Sequence, residues 1–94
     1  MAGEVDLMRV PRGTQARYDQ LLIGVRAVVL DDGDDSDGGQ AAMLIRDLAA
    51  GAYEDVVLSV GEHVRLFGHD VGLVEVGSGR TAPYVVLSLT GSAA

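Results

Sequence analysis

The chain has 94 residues, room for one domain with one modest core. Fourteen acidic residues face seven basic ones, giving a net charge of −7, and an acidic surface of this kind repels phosphate backbones and anionic lipid, which argues against nucleic acid or a membrane as partner. Cysteine is absent, which excludes disulfides, thiolate catalysis and Cys-ligated zinc.

The opening Met1-Ala2-Gly3-Glu4-Val5-Asp6 carries acid where a secretory signal needs a basic and then an apolar stretch. No uninterrupted apolar run approaches the length of a membrane span, and cytoplasm is the expected compartment. All seven basic residues are Arg, and Ala, Gly, Val and Asp abound, a composition that fits a GC-rich bacterial genome. Val5 to Val10 alternates as a strand does and breaks at Pro11-Arg12-Gly13. Leu21 to Leu30 is the strongest strand: Leu21, Ile23, Val25, Ala27 and Val29 share one face, while Leu22, Gly24, Arg26, Val28 and Leu30 share the other. Gly24 offers a bend or bulge.

Asp31 to Gly39 is an acidic, glycine-rich loop. Residues 40 to 50 fit either a strand or a short helix, since Ala41, Leu44, Ile45 and Leu48 also fall at helical spacing; the strand is favoured. Four further strands are expected: Tyr53 to Val60, His63 to Phe67, Val71 to Val76 and Tyr84 to Leu89. They are divided by turns at Gly61-Glu62, at Gly68-His69-Asp70 and over residues 77 to 83. Residues 90 to 94 are expected to form a disordered tail. The whole reads as a single all-β domain, mainly antiparallel, a small barrel or sandwich of about six or seven strands. No internal repeat stands out.

The order of EVDLMRV, Arg12-Gly13, LLIGV, an acidic turn, LSVGEHVRLFG, GLVEV and YVVLSL resembles a family of short β-rich proteins of unknown function from GC-rich bacteria. The likeness covers nearly the whole chain. It implies a fold and no activity, and it implies a strand at 40 to 48. An aromatic would be expected where Val71 stands.

Candidate chemistry is sparse. Asp32, Asp34 and Asp35 could offer oxygen ligands to a divalent cation such as Ca²⁺, but the helix–loop–helix calcium pattern fails, with Asp37 where Gly belongs and Met43 where Glu belongs. The loop therefore reads first as a solvated connection. His63 and His69 stand a strand apart, too far to share a metal, and neither has an acid–base partner visible in sequence. Arg46 and Glu75, together with Arg26 and Tyr84, are the candidate ligand-binding residues, provided the first two point inward and pair. The hydroxyls lack a His–Asp arrangement and a nucleophile elbow. Excess apolar strand surface at Leu22, Val28, Leu30 and Val57 suggests an interface. A non-catalytic module that self-associates or docks on a protein is the leading expectation, with no cofactor. A barrel that binds or processes a small molecule is the alternative.

Overall fold

Alternating apolar residues build eight strands: β1 (Asp6–Pro11), β2 (Gln15–Tyr18), β3 (Leu21–Leu30), β4 (Gly39–Asp47), β5 (Tyr53–Ser59), β6 (His63–Leu66), β7 (His69–Ser78) and β8 (Pro83–Gly91). These come from a computed structural model that describes residues 5–30, 39–78, 80 and 82–91. There is no helix among them, so 40 to 50 resolves as strand followed by turn. The strands form two antiparallel four-stranded sheets, ordered β1-β8-β7-β6 and β2-β3-β4-β5. The expectation of an all-β, antiparallel domain holds, and only the count is corrected: among the described residues there are eight strands in two sheets rather than six or seven, and the sheets do not close into a barrel.

The added strand is β2, Gln15-Ala16-Arg17-Tyr18, whose alternation is only two residues deep: Ala16 and Tyr18 pack against the core. The first strand ends at Pro11 as expected, and the turn at Arg12-Gly13 carries the chain from one sheet to the other. The Arg12 amide donates to the Pro83 carbonyl in the first sheet, and the Gly13 amide to the Val25 carbonyl in the second. Gly13 has φ +83°, which favours glycine.

The core lies between the sheets. Leu21, Ile23 and Val25 from β3, Ala41, Met43 and Ile45 from β4, Val71 and Leu73 from β7, and Val85, Leu87 and Leu89 from β8 are all buried. Each large aliphatic side chain so buried contributes about 1.5–3 kcal/mol. Bulges reverse the phase in the two longest strands. The register shifts between Val25 and Ala27 in β3 and between Leu73 and Glu75 in β7. Beyond the first bulge, Val28 packs against the core and Val29 turns out to solvent, the reverse of the simple alternation.

The structure contains a repeat that the sequence hides. Residues 48 positions apart take the same place: Gly13 and Gly61 at the inter-sheet bends, Gly24 and Gly72 beside the bulges, Asp19 and Phe67 in the tight turns. The registers agree pair for pair, with the offset falling from 48 to 44 between β4 and β8. Leu21 faces Asp47 and Val25 faces Met43 in one sheet; His69 faces Gly91 and Leu73 faces Leu87 in the other. Each sheet takes three strands from one half and a fourth from the other half, β5 beside β4 and β1 beside β8. The halves are thus locked together by exchange of their first strands.

Candidate functional site

The two tight turns present the most polar part of the interior. Asp19 (φ +55°) lies between β2 and β3, and Phe67 (φ +54°) between β6 and β7; a positive φ is costly for either side chain. Both serve one residue. His69 shares the inward phase of Val71 and Leu73 and is fully buried, although its sequence context suggested a turn. Its Nδ1 lies 3.0 Å from the Phe67 carbonyl and its Nε2 3.1 Å from Asp19 Oδ2. A carbonyl oxygen only accepts, so Nδ1 carries the proton of the first bond. Tyr18 stands edge-on to the ring at 5.8 Å. With both nitrogens held and the ring enclosed, His69 works as a clamp between the halves, and it offers no nitrogen to a substrate.

The second place is the outer surface over the paired glycines. At Gly72, the His63 ring and the Ser88 hydroxyl both lean over the bare backbone; a Cβ there would stand 2.7 Å from His63 Nδ1 and 2.6 Å from Ser88 Oγ. Asp70 Oδ2 is 4.0 Å from His63 Nδ1. At Gly24 the equivalents are Gln15 and Leu44, and the space is open: a hollow of about 380 Å³ bordered by Thr14, Gln15, Arg26 and Leu44. Serine, histidine and aspartate therefore meet in the second half, where the sequence showed no such grouping. The His63 side chain is exposed, and the residue also borders the open groove between β5 and β6.

The third place is the flank where edge strands β5 and β6 face one another. A groove of about 440 Å³ runs between them, with Val56, Leu58, Val64 and Leu66 in its wall and Glu54, Asp55 and Glu62 on its rim. The opposite flank, between β1 and β2, is latched: the Tyr18 hydroxyl donates to Asp6 Oδ2 at 2.9 Å. The repeat puts Leu66 and Glu54 in those two places. A leucine cannot make that bond, and this flank carries no such latch.

The sequence-predicted residues scatter. Arg46 is exposed on the outer face of the second sheet, and Glu75 is exposed on the outer face of the first, so they do not pair inside. The bulge at Val74 turned Glu75 outward, while Arg46 lies in the phase opposite to Met43 and Ile45. Glu75 instead accepts from the Tyr84 hydroxyl at 3.3 Å, and Arg9 stacks over the Tyr84 ring at 3.9 Å. Arg26, the extra residue of the β3 bulge, pairs with Asp55 at 3.1 Å in solvent, an interaction worth about 0–1 kcal/mol. Of the interface candidates, Val57 is 65% exposed on β5, Leu22 is half-buried on an outer face, and Val28 points inward. The side chain of Leu30 and the candidate cation ligands Asp32, Asp34 and Asp35 lie outside the described residues. So does most of the acidic loop, and so do residues 92 to 94; Thr90 and Gly91 belong to β8. Among the described residues no three His, Asp or Glu side chains gather as a metal site would, and no helix is long and apolar enough to cross a membrane.

The His69 clamp had one legible signal, its place in phase with Val71 and Leu73. The groove had none, because it follows from which strands end up at the edges. No family profile, curated protein or solved structure matches this chain.

Proposed function

We propose that this chain is a non-catalytic β-module that acts by docking a protein partner at the β5–β6 flank. The observation that supports the reading is the groove of about 440 Å³ between two edge strands, beside the exposed Val57. Edge strands present unpaired backbone, and proteins usually cover or blunt them. The cysteine-free, acidic composition suits a cytoplasmic setting, and the resemblance to short bacterial β-rich proteins adds a fold and no activity. Native mass spectrometry on protein purified gently from its host tests the reading. A stable complex that is lost when Val57→Lys is introduced is the expected result, and a bare 9.8 kDa monomer overturns it.

A second reading has its own observation. The hollow over Gly24, with Arg26, Gln15 and Thr14 at its border, could hold a small polar molecule. A small-molecule adduct in the same spectrum, lost in Gly24→Leu, would favour it over the first.

A further inference from the structure

We infer that the β5–β6 groove takes an extended peptide carrying two adjacent basic residues followed by an apolar run, which adds as a strand to β5. This rests on the partner-docking reading above and names the partner's chemistry.

Strand order, length and charge each contribute. Both β5 and β6 end their sheets, and β5, Tyr53–Ser59, is the longer edge, against the four residues of β6. An added strand gains backbone hydrogen bonds from the edge and specificity from alternate side chains. Glu54 shares the phase of Val56 and Leu58, while Asp55 and Val57 share the exposed phase and stand at the groove's border. A strand laid along β5 therefore meets a carboxylate on each of its faces at neighbouring positions, Glu54 and then Asp55, whose exposed pair with Arg26 at 3.1 Å the peptide's second cation would have to share or displace, and then Val56, Val57 and Leu58. Two consecutive Arg or Lys residues answer the two carboxylates, since opposite charges directly across a pair of strands attract. Glu62 at the corner adds acid, while its Oε1 also accepts from the Ser59 amide. A second copy of this chain is a poorer occupant, because the net charge of −7 sets like against like.

The other flank strengthens the case. There the latch between Tyr18 and Asp6 spans the same gap, while Leu66 leaves Glu54 without it. The repeat provides the same frame twice and leaves one flank unlatched.

The test uses the intact chain and a fluorescein-labelled peptide, Arg-Arg followed by alternating valine and threonine, read by anisotropy. Binding should weaken roughly tenfold in Glu54→Lys with Asp55→Lys, and should weaken with added salt. Hydrogen exchange at the β5 amides should slow when the peptide is bound, which charge attraction alone would not cause. Both substituted positions are exposed, and an unchanged melting temperature confirms that the variant is folded. Binding that ignores the double reversal, or that leaves β5 exchange unchanged, overturns the inference while leaving a docking module in place. A dimer dissolved by Val57→Lys, with no peptide binding, also overturns it and assigns the edge to a second copy. A monomer that binds nothing overturns this inference and the broader reading together.

Discussion

Leu21 and His69 occupy the same place in the two halves of the molecule: each opens a long central strand, each is fully buried, and each pairs across to the end of a strand, Asp47 or Gly91. One is an ordinary core residue. The other is a polar ring held by the Phe67 carbonyl behind it and the Asp19 carboxylate of the opposite half. The backbone pattern has been kept in both halves while the side chains filling it have diverged. Three of the differences change what the frame holds in kind: the clamp, the cover over Gly24 and Gly72, and the flank latch. Each is a difference in what a shared frame holds, so each can be tested by giving one half the residue of the other.

The largest effect should come from Leu21→His. The equivalent of the Phe67 carbonyl would be that of Asp19, which already accepts from Arg17 Nε, and the equivalent of the Asp19 carboxylate is a phenyl ring. A buried imidazole short of partners should cost about 3 kcal/mol or more, measured by urea denaturation. The reverse exchange, His69→Leu, leaves the Phe67 carbonyl without its donor, and Asp19 remains partly solvated, so about 1–2 kcal/mol should be lost. Should His69→Leu prove more stable than the parent, the clamp adds nothing to the union of the halves.

The glycine pair sharpens the comparison further. Gly24→Ala places a methyl at ordinary contact, 3.5 Å from Gln15, and replaces glycine inside a strand, so it should stabilise by about 0.5 kcal/mol. At Gly72 the same change meets Ser88 and His63 within 3 Å, and one of them must move. Because His63 is exposed and can swing away, the cost should stop near 1 kcal/mol. Melting temperatures should thus move in opposite directions, and the His63 ring resonances should shift only in Gly72→Ala. Equal effects at the two sites would mean that the cover over Gly72 is loosely held.

How much of this was legible in the sequence depended on range. Strands with a clean inward row, such as Ala41-Met43-Ile45, announced themselves even where helical spacing competed. That competing pattern arose because Leu44 is apolar and half-covered although it lies on the outer face. Gln15 to Tyr18 escaped because an edge strand this short buries little and follows a Pro-Gly bend that reads as an end. The bulges at Arg26 and Val74 could not be placed from alternation alone, and they decide where Val28 and Glu75 point. The repeat was illegible because what it preserves is register. Gly13 and Gly24 recur as Gly61 and Gly72, but most core positions merely exchange one aliphatic residue for another. His69 could be read as inward, but Asp19 lies 50 residues away, a distance no local pattern spans.

The smallest change in stability carries the most information about function. In Tyr18→Phe the β1–β2 flank loses one exposed hydrogen bond, worth about 0.5 kcal/mol. Leu66→Tyr does the converse, placing a hydroxyl where it can reach Glu54 as Tyr18 reaches Asp6. It should leave stability within about 0.5 kcal/mol of the parent, because the half-buried aliphatic contact is exchanged for a ring whose polar end lies at the surface. Yet it should close the β5–β6 groove from within. Peptide affinity should then fall by about tenfold in Leu66→Tyr and recover in Leu66→Phe, which restores bulk without the hydroxyl. If Leu66→Phe blocks binding as fully as tyrosine does, the groove is closed by volume, and the latch is not what distinguishes the two flanks. If neither variant affects binding, the peptide does not enter between β5 and β6, and the asymmetry of the flanks has a purely structural origin.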